Sequence, residues 1–142
     1  MQTQNWLLLA FLSMCFAGLT SVIAKFGLRD ISADLGLAVR TTVVFGLVWL
    51  NFVAWHSVQE LQQLNWKTAG FLILSGVTTS CSWILYYKAI KIGNVSDVAL
   101  IDKGSIIITL LLSFSLLREP ITAKVLVGAF FIVSGLLILA WR

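Results

Sequence analysis

A chain of 142 residues that is 59% hydrophobic and 11% charged, with a mean hydropathy of +0.97, is not an ordinary soluble domain, in which about 25% of residues carry charge. Five membrane spans of about 20 residues would take roughly 100 residues and leave short loops. The net charge of +4 and the pI near 9.4 do not point to nucleic acid, because the ten Lys and Arg are scattered between apolar runs, where they set topology.

The first apolar run covers residues 6–25 and places Ala10, Ser13, Ala17, Thr20 and Ala24 on one helical face that another helix can approach closely. No Lys or Arg precedes it and no cleavage site follows, so a retained span is expected rather than a signal peptide. Gly27 is its stop, with Lys25, Arg29, Asp30 and Asp34 around the first loop. The second run, 35–55, carries Arg40 about a turn and a half inside its start. Polar residues from His56 to Trp66 form the longest loop, and the third run, 68–89, ends in Tyr86, Tyr87, Lys88 and Lys91 before a Gly93-Asn94 turn. The fourth run is 96–117; Arg118-Glu119-Pro120 interrupts it, with Pro120 suited to the first turn of a fifth run, 121–141. Each run is about twice the length of a tilted barrel strand and lacks alternation. The expected fold is an all-α membrane protein, one domain over 1–142 with five transmembrane helices.

Trp6, Trp55, Trp66 and Trp141 fall at the proposed span ends, as an interfacial aromatic belt requires. One face carries Lys67, Arg118 and Lys124; the other carries Lys25, Arg29, Arg40, Lys88, Lys91 and Arg142. The positive-inside rule then puts the C-terminus in the cytoplasm and the N-terminus outside.

The fourth helix offers the clearest functional signal. Asp102, Ser105, Thr109 and Ser113 form one polar stripe, and an ionisable group within a span points to function. The hydroxyls serve either this stripe or their own helix carbonyls. Lys103 is turned about 100° away from Asp102, toward Ile106, Ile107 and Leu110. It either snorkels to the nearer interface, holds an anionic substrate group, or pairs with an acid on another helix. Asp97, in the first turn of that helix, offsets its dipole. A second stripe, Ser75, Thr79, Ser82 and Tyr86, runs along the third helix with Trp83 beside it; it suits a cavity wall for a polar or cationic metabolite, or close packing. Arg40 is either an anchor or a site cation. Gly128 and Gly135, seven apart, let a partner helix pack closely, which makes them candidates for a subunit interface. Cys15 and Cys81 lie in apolar runs and read as packing cysteines. With one His, no CxxC and no Ser/His/Asp set, no enzyme, metal site or cofactor is expected.

Several segments resemble the drug/metabolite transporter superfamily of EamA type: Ala24-Lys25 closing the first helix, Leu37-Ala38-Val39-Arg40 opening the second, Tyr86-Tyr87-Lys88-Ala89-Ile90-Lys91-Ile92-Gly93 closing the third, and Leu116-Leu117-Arg118-Glu119-Pro120 before the fifth. Larger relatives have ten helices made of two such halves in inverted orientation. The resemblance therefore implies one half of an inverted-repeat transporter fold, which must pair with a second copy or with a related half-transporter. It also implies that the third and fourth helices border the central pathway. Gly128 and Gly135 resemble the last-helix dimerisation motif of the small four-helix multidrug exporters. Those exporters couple to protons through a first-helix glutamate, and the first helix here has no acid. Many EamA domains have a fourth-helix proline near the position where this chain reads Asp102-Lys103-Gly104, a difference that puts charge at the pathway.

The reading that follows is a transporter in the inner membrane that moves a small polar metabolite or drug-like solute by alternating access as a dimer. Asp102 is its substrate-binding acid or its coupling acid for protons or another ion, with Lys103 and Arg40 as counter-charges. Ser75, Thr79, Ser82, Trp83, Tyr86, Ser105 and Thr109 are the expected lining. The partners are the solute, the lipid bilayer and a second half, homodimeric or heterodimeric; the charge bias weighs against an antiparallel homodimer. The alternative readings are a non-transporting membrane subunit that stabilises or regulates a partner, and a component of a lipid-linked-sugar flippase.

Overall fold

The computed structural model describes residues 5–56, 58–120 and 122–141, so Ile121 and Arg142, named above for the fifth run and for the charge bias, lie outside the described residues. Every regular element among those residues is helical. The chain divides into two compact units, Met1–Ile92 and Gly93–Arg142. Four stretches, Trp6–Gly27, Ala33–Trp55, Trp66–Ile92 and Val95–Leu117, are long and apolar enough to cross a bilayer; the apolar run Ala123–Ile138 is shorter.

The first unit holds α1 (Asn5–Gly27), α2 (Ala33–Trp55) and α3 (Trp66–Ile92), with a 3₁₀ turn at Val58–Gln63. Ser32 caps α2, its hydroxyl accepting from the Leu35 N–H at 3.2 Å, and Asp34 in the first turn complements the helix dipole. Asn65 does the same for α3, its side-chain oxygen accepting from the Thr68 N–H at 2.8 Å. At 27 residues α3 is about 40 Å long, more than the hydrocarbon core needs, so its end reaches past the apolar layer. Trp6, Trp55 and Trp66 stand at helix ends, where an interfacial belt is required.

The C-terminal ends of α1 and α3 are joined by two lysines that exchange places. Lys25 of α1 donates to the carbonyls of Ile90 (2.5 Å) and Lys91 (3.2 Å) at the end of α3. Lys91 of α3 donates in return to the carbonyls of Leu28 and of Arg29 (2.9 Å), just past the end of α1. The last carbonyls of a helix have no intrahelical donor, and a cation there is favoured by the dipole as well. Around this clasp lie the buried apolar residues of the described chain, Leu28, Ala33, Leu37, Tyr87 and Ile90. Leu28 packs over Gly36, and a Cβ at position 36 would make the end of the Leu28 side chain move.

The second unit holds α4 (Val95–Asp102), α5 (Ser105–Leu112), a π-helical segment (Ser113–Leu117) and α6 (Ala123–Ala140). The fourth run is thus not one regular helix. Across Lys103-Gly104 the backbone bonds tighten to three-residue steps, Lys103 N–H to Leu100 O (3.1 Å), Gly104 to Ile101 (2.9 Å), Ile106 to Lys103 (3.1 Å) and Ile107 to Gly104 (3.0 Å). Gly104 suits the tightened turn, since a Cβ there would lie 3.0 Å from the Ile101 carbonyl; Leu136 Cδ1 of α6 would stand at van der Waals contact, 3.4 Å. At the far end Arg118 adopts a left-handed conformation (φ 55°), and the N–H groups of Arg118 and Glu119 both point to Ser113 O, the latter at 3.3 Å. This is a C-cap of the left-handed kind, widened to suit a π turn. Pro120 does not open the fifth helix as expected: α6 starts at Ala123 after Thr122, whose carbonyl accepts from Val125 (3.0 Å) and Leu126 (3.1 Å).

Replacing Lys25 or Lys91 by Met, which keeps the stem and removes the donors, is expected to lower stability in detergent by about 1–3 kcal/mol each. The double variant is expected to lose less than the sum, by about 0.5 kcal/mol or more, because either removal already frees the two helix ends. Strict additivity in chemical or thermal unfolding would contradict a shared clasp.

Candidate functional site

In the first unit, α2 and α3 bring Arg40 against two aromatic faces. Its guanidinium carbon lies 4.4 Å from the Trp83 ring centroid and 5.8 Å from that of Tyr87. Trp83 and Tyr87 are four residues apart on α3 and so share a face. Arg40 Nη1 is buried and makes no hydrogen bond, and among the described residues no carboxylate pairs with the side chain. The ring faces therefore carry much of its stabilisation, through the cation–π attraction that strengthens as water is excluded. Tyr86, next in sequence, is turned elsewhere: its hydroxyl and that of Ser21 on α1 are hydrogen-bonded at 2.8 Å. Lys88 and Asp34 form a third link at 3.5 Å between exposed groups. Ser75, Thr79 and Ser82 are exposed, and the Thr79 hydroxyl donates to the Ser75 carbonyl of its own helix at 2.8 Å.

In the second unit the break after Asp102 rearranges the expected stripe. Lys103 Nζ lies 3.9 Å from an Asp102 carboxylate oxygen, although a continuous α-helix would turn the two about 100° apart. The long, flexible lysine stem reaches back across that separation. A half-open groove of about 600 Å³ between α4, α5 and α6 is lined at its polar edge by Lys103, Ser105 and Thr109, with Gly135, Phe131 and Leu136 across from them. Asp102 and Ser113 do not line it. The Ser113 hydroxyl instead donates to the Glu119 carboxylate beyond the π segment. Thr109 Oγ1 donates to the Ser105 carbonyl at 3.1 Å. Gly128 has open space where a side chain would stand, as does Gly135.

Sequence reasoning thus named Arg40 and Trp83 separately but missed their contact, Tyr87 as the second wall, Ser21 as the partner of Tyr86, and the clasp formed by Lys25 and Lys91. The four-residue spacing of Trp83 and Tyr87 was the available signal for the second wall. The last two depend on contacts more than sixty positions apart in the chain, which no local pattern carries.

Four long apolar helices, with an acid, a lysine and an arginine set within them, define a multi-pass membrane protein with polar groups inside its spans. The chain belongs to the EamA-like transporter family, whose sequence model matches residues 4–141. It is 35% identical over 138 residues to a protein of Sinorhizobium sp. described as an uncharacterized transporter in the cobO 3' region, an alignment covering 97% of this chain and 98% of that one. No solved structure matches the chain. By family, this is a membrane transporter.

The Arg40–Trp83 contact predicts a coupling of about 0.5–2 kcal/mol between Arg40→Gln and Trp83→Leu in a double-mutant cycle on thermal stability. Additive effects of the two substitutions would show that the stacking contributes nothing.

Proposed function

We propose that the chain is a half-transporter of the cytoplasmic (inner) membrane, N-terminus outside and C-terminus inside, that pairs with a second copy or a related half and moves a small polar or drug-like solute by alternating access. The observation that carries this reading is the interrupted fourth helix, with Asp102 and Lys103 at the interruption and a groove beside it. Secondary transporters commonly place substrate and ion sites at such breaks, and irregular backbone at membrane depth persists where it lines a cavity or is buried in protein. Asp102 lies seven residues into the helix from Val95, about 10 Å along it, where an acid is costly unless it is used. It is the favoured coupling or substrate-binding acid, with Lys103 as its counter-charge and Ser105 and Thr109 on α5 as the lining beside it. Within the first unit, Arg40 is a candidate site cation and Ser75, Thr79, Ser82, Trp83 and Tyr86 on α3 are candidate lining. Gly128, with open space where a Cβ would stand, suits the pairing interface, while Gly135 borders the groove.

A second reading, a non-transporting membrane subunit, draws support from the hydroxyls of Thr79 and Thr109, both donated to carbonyls of their own helices as in ordinary packing. The two readings separate in a thermal-shift screen of the purified chain against amino acids, polar metabolites and cationic drugs. The transporter reading expects a hit that stabilises the chain by about 2.7 kcal/mol at a hundredfold excess over Kd, and that is lost in Asp102→Asn while the variant inserts and folds normally. Undiminished binding and transport in Asp102→Asn would remove Asp102 from the mechanism, and a screen without hits would favour the subunit.

A further inference from the structure

The groove of the second unit has a chemistry that its neighbours on the chain do not share. Its volume of about 600 Å³ lies within the range of small-molecule sites, about 300–1,000 Å³, and its walls are mostly apolar with a few polar groups converging at one edge. Those groups are one ammonium and two hydroxyls, with no anionic group among them. Lys103 supplies an ammonium whose nearest acid, Asp102, stands at 3.9 Å, beyond the roughly 2.7–2.9 Å of a charge-assisted hydrogen bond. Among the described residues its Nζ donates no hydrogen bond, and the Ser105 hydroxyl donates none either. No carboxylate lines the groove.

We propose that this groove binds a small organic anion with an apolar body, its carboxylate or equivalent group on Lys103 and Ser105 and its body between Phe131 and Leu136. A cation would meet Lys103 with like charge. A neutral solute would gain no charge-assisted contact from the ammonium. A membrane phospholipid is not the occupant: Lys103 is eight residues into the helix from Val95, about 12 Å along it, below the level where lipid phosphates sit. This assignment names the substrate class for the transporter reading and rests on it.

The test uses the purified full chain in detergent at neutral pH with three probes of one shape, 2-naphthoate, 2-naphthylmethylammonium and 2-naphthamide, and reads the shift in unfolding temperature against probe concentration. The carboxylate is expected to bind at least tenfold more tightly than the other two. Lys103→Gln is expected to weaken it tenfold or more, Lys103→Arg to retain it within a few-fold, and Gly135→Phe to abolish it by filling the groove while leaving Lys103 in place. Equal binding of the ammonium probe, no binding of naphthoate, or naphthoate binding unchanged in either Lys103→Gln or Gly135→Phe would overturn the assignment. In any of those cases a ligand found in the broader screen and lost in Asp102→Asn leaves the transporter reading standing, so the two failures are distinguishable.

Discussion

The exchange of Lys25 and Lys91 between the ends of α1 and α3 is the contact on which the first unit depends. A helix end leaves carbonyls without donors, and in a chain this apolar few side chains are available to satisfy them. Each lysine serves the end of the other's helix, so α1 and α3 must finish side by side. That juxtaposition seats Leu28 over Gly36 and buries Ile90 and Tyr87. Tyr87 in turn is one of the two faces that hold Arg40. The arginine is thus positioned by a chain of contacts that starts at two lysine ammonium groups.

The second unit is built on the opposite device. Where the first unit completes its hydrogen bonding with side-chain cations, the fourth run relaxes its own helical geometry, tightening at Lys103-Gly104 and widening at Ser113–Leu117. Both departures carry polar side chains: Asp102 and Lys103 at one, Ser113 and Glu119 at the other. Glycine at position 104 eases the first, because a Cβ there would crowd the Ile101 carbonyl at 3.0 Å. The second uses a left-handed Arg118, a conformation that costs a side-chain-bearing residue about 1–2 kcal/mol and is held here by two N–H groups converging on Ser113 O.

Much of this was legible in the sequence because the determining pattern is local. Runs of about twenty apolar residues, Gly27 as a boundary signal, and Trp at the ends mark the helices without reference to packing. The charged residues at 40, 102 and 103 stood out for the same reason, since a charge in such a run needs an explanation. The interruption of the fourth helix was not legible: Asp102-Lys103-Gly104 contains no proline, and Ser105 and Thr109 continue a regular spacing on either reading. The reach of Lys25 to Ile90 and of Tyr86 to Ser21 depends on which helices meet, a property of the whole unit.

Alternating access at the fourth helix is the central claim, and cysteine accessibility tests it most directly. In a chain with Cys15 and Cys81 replaced by alanine, a single cysteine placed at Ser105 or Thr109 is treated with a membrane-impermeant thiol reagent in right-side-out and in inverted vesicles. The account predicts modification from both faces, because a pathway that opens in turn exposes the groove to each. A cysteine at these positions that reacts from neither face would contradict it and leave a packed membrane subunit in its place.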